Sequence, residues 1–251
     1  MLEQPMQQCP NCKEYVPAEY VVCVWCGFDL TSEIIKRSGI KISWIDALRR
    51  MSRVVYQPFS TLREIILLPD SKGPILVLYA LSFLVTLQIN IFVWKMRYNV
   101  QSNIARMIAV IMIAVYPLFL LFLLMIALRV GTRFGIVVIR LLGGKSEKDS
   151  LQALFGYSLT PVAIGEGAAS FFRLFYSKQE VLSISYGTIS SYFESISKNG
   201  LSIFIDLIRF VTWIWSAVLF SYGLKREAKI STIEAILVTG VLWFAFISAM
   251  F

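Results

Sequence analysis

Residues 107–128 read Met-Ile-Ala-Val-Ile-Met-Ile-Ala-Val-Tyr-Pro-Leu-Phe-Leu-Leu-Phe-Leu-Leu-Met-Ile-Ala-Leu, a stretch without one charged side chain. As a helix this stretch is about 33 Å long, which exceeds the ~30 Å hydrocarbon core of a bilayer. The whole chain has 251 residues, of which 57% are hydrophobic and 16% are charged. A soluble fold of this size has too small an interior to bury so much apolar surface. The sequence therefore predicts an integral membrane protein.

Four further stretches are long enough to cross a bilayer as helices. The five predicted spans are 74–94, 107–128, 151–176, 201–224 and 231–251. The second is expected to continue as a helix beyond the membrane, and the third is the least apolar. The predicted fold class is an all-α membrane protein: a five-helix transmembrane bundle over residues 73–251, preceded by a small N-terminal zinc ribbon.

Lysine and arginine are unevenly distributed between the loops, and this sets the expected orientation. The residues before the first span, segment 129–150 and turn 225–230 together carry seventeen, whereas the opposite loops carry five. The N-terminus is therefore expected in the cytoplasm and the C-terminus on the opposite face. If the organism is a prokaryote, the membrane is the cell membrane.

All four cysteines lie near the N-terminus, as Cys9-Pro-Asn-Cys12 and Cys23-Val-Trp-Cys26. Two CxxC pairs at this spacing are typical of a zinc ribbon, in which four thiolates surround one structural Zn²⁺. Two disulfides would need an oxidising compartment, and a redox CxxC would need a βαβ pattern that is missing. We therefore expect a zinc ribbon over residues 1–30. Three of its aromatic residues either form a contact face or cover the metal: Tyr15, Tyr20 and Trp25.

Residues 31–72 form the expected cytoplasmic juxtamembrane segment, with one amphipathic helix over 42–56 and a shorter one from Phe59. The first has an apolar face and an opposite basic face. The apolar residues are Trp44, Ile45, Leu48, Met51 and Val55, and the basic ones are Arg49, Arg50 and Arg53. Basic amphipathic helices beside a span lie in the headgroup plane, so anionic lipid headgroups are the expected partner. A dedicated protein-binding helix is the alternative.

Four ionisable residues fall within predicted spans, where such groups are costly and mark function by default. They are Glu166, Arg173, Asp206 and Arg209. Counting along the helices puts Glu166 at the depth of Arg209, and Arg173 at the depth of Asp206. We expect two ion pairs that align the third and fourth spans. A polar cavity for an ion, a substrate or a lipid headgroup is the alternative.

Two short motifs follow each other after the second span, Gly143-Gly144-Lys145 and Leu154-Phe-Gly156-Tyr157-Ser-Leu-Thr-Pro161. In this order and spacing they resemble the Yip domain family, multi-pass membrane proteins first known as partners of Ypt/Rab GTPases. The ribbon in front resembles prokaryotic relatives. The resemblance covers roughly residues 45–251 and implies a role in trafficking or membrane organisation. The Asp-Leu-Tyr-Gly-Pro signature of eukaryotic members is not seen near the first span, so no Rab partner is inferred.

Several function classes are excluded or disfavoured by composition. The chain has no histidine, which rules out a histidine-based zinc protease or a serine–histidine triad within it. We expect no enzyme and no specific binding of nucleic acid. The favoured function is a non-catalytic membrane scaffold or adaptor for an unidentified cytoplasmic protein. A small transporter or channel using Glu166 and Arg209 is the alternative, and the sequence leaves the oligomeric state open.

Overall fold

The computed structural model describes residues 6–9, 11–27, 30, 42–98, 103–175, 179–181 and 200–250. The helices are α1 Trp44–Tyr56, α2 Pro58–Leu67, α3 Lys72–Lys95, α4 Asn103–Leu141, α5 Lys148–Ser158, α6 Thr160–Arg173, α7 Gly200–Ala228 and α8 Thr232–Met250. Strands β1 Met6–Gln8 and β2 Tyr15–Pro17 pair antiparallel, and β3 Met96–Tyr98 pairs parallel with β4 Gln179–Val181. Segment 31–41 of the predicted juxtamembrane region lies outside the described residues.

Three helices among the described residues are long and apolar enough to cross a membrane, and they lie within α3, α4 and α7. The apolar part of α8 is shorter, Thr232–Phe244. The predicted third span is not one helix but two, α5 and α6, which meet at Leu159. Pro161 falls in the first turn of α6, where the missing N–H has no helical partner to lose. The predicted third span, 151–176, is thus covered by two helices, and the count of five crossings stays a prediction.

Helices α5 and α6 together run alongside α7 in the opposite direction. Leu154 packs on Gly223, and Ser216 Oγ donates a hydrogen bond to the Ser158 carbonyl. A Cβ added to Gly165 would lie 2.3 Å from Thr212 Oγ1, so the two backbones approach closely there. Small residues at such contacts are how membrane helices gain packing. The α5–α6 pair therefore acts as one bent antiparallel partner of α7.

The helices do not all begin at the same height along the bundle axis. Pro74, near the start of α3, packs on Gly156, which lies eight residues after the start of α5. Phe155 in turn contacts Gly131, ten residues before the end of α4. At 1.5 Å per residue, these ends of α4 and α5 extend about 12–15 Å beyond the level of Pro74. The end of α7 and the start of α8 extend with them, because Leu154 contacts Gly223 and Gly135 contacts Leu242. We call this part the protruding end.

Four aromatic side chains join the helices at the base of the protruding end, level with the start of α3. The Phe155 ring lies 4.9 Å from Trp243, 5.2 Å from Phe220 and 5.5 Å from Phe246, measured between centroids. Phe220 and Trp243 also stack on each other at 4.9 Å. Such pairs contribute about 0.5–1.5 kcal/mol each beyond their burial. The cluster joins α5, α7 and α8 into one body.

Helix α1 begins with a capping box in which Ser43 Oγ accepts a hydrogen bond from Asp46 N and the Asp46 carboxylate accepts one from Ser43 N. The side-chain hydrogen bond from Ser43 lowers the pKa of Asp46. The helix packs on the bundle through a narrow face and leaves its predicted apolar face largely exposed. The packed residues are Ala47, Arg50 and Val54, and the exposed apolar ones are Trp44, Ile45, Leu48 and Val55. The placement of Arg50 on an exposed basic face is therefore wrong, since that side chain is 1% exposed.

Candidate functional site

The four cysteine thiols converge on one point. All four sulfur atoms lie within 4.8 Å of one another, and no disulfide joins them. Cys9 Sγ lies 3.7 Å from Cys26 Sγ, and Cys12 Sγ lies 3.6 Å from Cys23 Sγ. A tetrahedron with metal–sulfur bonds of about 2.3 Å has sulfur–sulfur edges of ~3.8 Å. The thiols thus fit a four-coordinate metal ion, and the two-disulfide alternative does not apply to this arrangement.

The two CxxC turns are built alike, which explains why their thiols point to the same place. In each turn the residue after the second cysteine donates its N–H to the carbonyl of the first, Lys13 to Cys9 at 2.8 Å and Gly27 to Cys23 at 2.9 Å. Both of these residues have positive φ, 63° at Lys13 and 70° at Gly27. Glycine adopts this conformation without strain, and lysine does so at some cost. Metal coordination can offset the conformational cost of the strained backbone at Lys13.

The ribbon has a small interior and a large apolar surface. Cys9, Val16, Cys23 and Leu30 form the buried cluster. The aromatic residues expected either to cover the metal or to form a contact face are exposed, with Trp25 at 68% and Tyr15 at 61%. Other large apolar side chains of the ribbon are also exposed: Met6, Tyr20, Val21, Val22 and Val24. Val16 and Leu30, not the aromatic residues, therefore shield the thiols on the described part of the chain.

A second polar cluster lies inside the bundle. Arg209 Nη2 on α7 lies 2.7 Å from Glu166 Oε2 on α6 and donates to Gln88 Oε1 on α3 at 2.6 Å. Gln88 Nε2 donates to both the carboxylate and the backbone carbonyl of Glu166. Glu166 is 1% exposed and Gln88 is 2% exposed. The Glu166 carboxylate thus joins α3, α6 and α7, and the Arg209 guanidinium lies within hydrogen-bond distance of its negative charge.

The contact between Glu166 and Arg209 agrees with their matched depths along the sequence, while the role of the pair stays a prediction. Asp206 is exposed and Arg173 is partly buried, and their pairing also stays a prediction. Sequence analysis missed Gln88, because a neutral amide in an apolar stretch is not flagged by charge. Its only signal is an amide side chain in the apolar part of α3, where Asn90 is a second one.

The Gly143-Gly144-Lys145 motif ends α4 in a tight turn. Gly144 N donates to the Ile139 carbonyl and Gly143 N donates to the Arg140 carbonyl, which is the Schellman pattern of helix termination. Gly143 has φ of 79°, where a side chain is strained. A Cβ at Gly144 would lie 2.6 Å from Ile230. Both glycines are therefore needed to turn the chain back against the end of α7.

The Gly156-Tyr157 motif fastens α5 to the start of α3. Gly156 allows Pro74 to touch its backbone, and the Tyr157 ring fills the space beside Gly73. The Tyr157 hydroxyl donates to Asp70 Oδ2 at 2.9 Å.

Asp70 is the centre of a wider polar network, which we call the Asp70 network. Besides Tyr157 it accepts hydrogen bonds from Gly73 N at 2.7 Å and from Arg50 Nη1 at 3.0 Å. Arg50 also donates to Glu64 at 2.9 Å and to the Leu68 carbonyl at 2.9 Å. The buried arginine thus ties α1 to α2 and to the entrance of α3.

A family model for the Yip1 domain matches residues 52–251. The chain belongs to the Yip1 domain family. Comparison with curated proteins gave no match, and comparison with solved structures gave none either. The range that matches the Yip1 domain covers the bundle, α2 and the last five residues of α1, and it begins well after the cysteine cluster. Family membership therefore supports the membrane bundle and says nothing about the ribbon.

The Asp70 network joins the entrance of α3 to α5. Residues 70–74 are Asp-Ser-Lys-Gly-Pro, of which Asp70, Gly73 and Pro74 face α5. The structure gives each of these three residues a contact: Asp70 accepts from Tyr157, Gly73 leaves room for its ring, and Pro74 packs on Gly156. Residues 70–74 therefore bind the Gly156-Tyr157 motif directly.

Proposed function

We propose that this Yip1 domain protein is a non-catalytic membrane adaptor, whose bundle anchors a zinc ribbon that binds a protein partner. The observation that carries the proposal is the exposed apolar surface of the ribbon, centred on Tyr15, Val24 and Trp25. A contiguous apolar surface on so small a module is typical of an interaction site. Zn²⁺ is the metal we assign to the thiols, since four sulfur ligands in a closed tetrahedron favour it.

Charge argues for a protein partner over nucleic acid or anionic lipid at the ribbon. Its described residues carry one cation, Lys13, against two anions, Glu14 and Glu19. A surface that binds phosphate groups needs an excess of cations. The surplus of Lys and Arg on the same side of the spans supports a cytoplasmic ribbon, where reduced thiols persist.

The bundle end next to the ribbon is proposed to rest on the bilayer through α1. Its exposed Trp44, Ile45 and Leu48 form an apolar stripe. The neighbouring Arg49 is exposed and suits anionic headgroups. In this arrangement α1 covers the entrance of α3 and marks the membrane surface.

The adaptor role is tested by crosslinking in native membranes followed by mass spectrometry. Two variants distinguish loss of the ribbon's apolar surface from loss of its metal site. Val24→Ser/Trp25→Ser removes the apolar tip and keeps all four thiols, whereas Cys9→Ser/Cys23→Ser removes the metal site. We expect both variants to lose the partner, and only the first to retain zinc. Undiminished partner recovery with both variants would refute the adaptor role.

A second candidate function, a small transporter or channel, rests on the cluster of Glu166, Gln88 and Arg209. The observation that favours it is Arg209 Nε, which is buried and has no hydrogen-bond partner among the described residues. A proteoliposome flux that Glu166→Gln reduces would support this function. Equal flux with and without the substitution would indicate that the cluster only holds the helices together.

A further inference from the structure

The last part of α4 carries a row of exposed arginines beside a row of exposed apolar side chains. Arg129, Arg133 and Arg140 recur at helical spacing on one side of the exposed surface. The adjacent apolar row consists of Val130, Phe134, Val137 and Leu141, which are 48–80% exposed. One helix surface thus offers cations and apolar contacts side by side.

These arginines have no acidic partner among the described residues. No Asp or Glu occurs anywhere in α4, which spans 39 residues. No ion pair of the described chain involves Arg129, Arg133 or Arg140, in contrast to Arg50, Arg53 and Arg209. Three positive charges over about 16 Å of helix therefore lack compensation within the described protein.

The height of the row places it at the bilayer surface. Gly131, between Arg129 and Arg133, contacts Phe155, and the next residue, Gly156, contacts Pro74 at the start of α3. The first two arginines therefore lie level with the entrance of the first span. Arg140 lies about 14 Å further out along the protruding end.

The start of α8 lies beside the end of α4 and also exposes large apolar side chains, which favours contact with lipid at this part of the surface. Ile233 is 72% exposed, Leu237 is 62% exposed and Ile236 is 56% exposed. The start of α8 lies beside the end of α4, because Leu242 contacts Gly135 and Ile230 contacts Gly144. Exposed apolar residues at the heights of exposed arginines are what the boundary between acyl chains and phosphates requires.

We propose that the arginine row of α4 is a binding site for anionic phospholipids, with guanidinium groups on the lipid phosphates and the acyl chains along the apolar row. Arginine suits this role because its planar donors match phosphate oxygens. The site rests on the membrane-anchoring part of the proposed function and is independent of the ribbon. It would draw the headgroups of this leaflet along the protruding end, beyond the level of α3.

The test counts phosphatidylglycerol bound to the purified full-length protein by native mass spectrometry, with phosphatidylcholine as the zwitterionic comparison. The test variant is Arg129→Gln/Arg133→Gln/Arg140→Gln. The matched control is Lys225→Gln/Arg226→Gln/Lys229→Gln, which removes the same charge from the last turn of α7 and the residue after it. Tryptophan-monitored melting checks that both variants fold.

We expect phosphatidylglycerol affinity to fall on the order of a hundredfold in the α4 variant, since each cation contributes about one kcal/mol to lipid attraction. The control should change it less than about threefold. Equal losses in both variants, or none in the α4 variant, would overturn the site. If the α4 variant does not fold, Arg133→Gln alone is measured, and an unchanged affinity overturns the proposal. Partner capture by the ribbon should be the same in the α4 variant and wild type, which separates this result from failure of the adaptor role.

Discussion

The pair of Glu166 and Arg209 predicts an asymmetry between two substitutions that remove the same ion pair. The Glu166 side chain is 1% exposed, whereas that of Arg209 is 21% exposed. Arg209→Met leaves a buried carboxylate without its cation. Glu166→Gln leaves a cation that still donates to Gln88 Oε1 at 2.6 Å. The first substitution should therefore cost much more stability than the second.

The magnitudes follow from the cost of an uncompensated buried charge. Removing one partner of a buried pair costs about 3–5 kcal/mol in soluble proteins, while hydrogen bonds between membrane helices average ~0.6 kcal/mol. We expect about 3 kcal/mol for Arg209→Met, because a charge is stranded, and about 1 kcal/mol for Glu166→Gln. The double variant should lose less than the sum, since no charge remains in the cluster.

The assay is equilibrium unfolding of the purified protein by sodium dodecyl sulfate in mixed micelles, followed by tryptophan fluorescence. Asp206→Asn serves as control, because Asp206 lies on the same helix as Arg209 and is exposed. Its effect should stay below about 0.5 kcal/mol. Equal losses for Arg209→Met and Glu166→Gln, or a larger loss for Glu166→Gln, would show that burial does not govern this cluster.

Three further outcomes are expected. Metal analysis should find one zinc per chain, and Cys9→Ser should abolish it without lowering the melting temperature of the bundle. Tyr157→Phe should destabilise by about 2 kcal/mol, because the Asp70 carboxylate loses a buried hydrogen bond, and limited proteolysis should then cut α1 faster. Gly143→Ala should destabilise by about 1 kcal/mol because its φ is 79°, whereas Gly240→Ala should be neutral or stabilising, since no atom would lie within 4 Å of the new Cβ. Unfolding titrations that give both glycine variants the same sign would contradict this.

The features predicted well from sequence are those set by local regularity. Helix rise is constant, so counting residues along two antiparallel spans was enough to put Glu166 beside Arg209. The CxxC spacing likewise fixes the shape of a turn, and the four thiols meet accordingly. The lengths of the apolar stretches likewise predicted α3, α4 and α7, because a segment that crosses a bilayer as a helix must satisfy its own backbone hydrogen bonds.

The features that sequence analysis missed depend on partners distant in the chain. A helical wheel puts Arg50 on the basic face of α1, yet Glu64 and Asp70 approach that face and bury the side chain. The break at Leu159 was only partly predictable. Pro161 indicates from the sequence that a helix is interrupted there, but whether the helix bends or restarts depends on its neighbours. The relative heights of the helices are set by contacts such as Gly156 with Pro74, and no single segment contains them.

The Asp70 network fixes α1 on the bundle, because the buried Arg50 of α1 reaches both Glu64 and Asp70. A buried arginine adds little net stability over an apolar side chain, but removing its acidic partners would leave a buried charge uncompensated. Because Asp70 also binds Tyr157 of the Yip motif, the position of α1 depends on the contact between α3 and α5. The contact between residues 70–74 and the Gly156-Tyr157 motif therefore does more than pack the bundle, since it also fixes the position of α1.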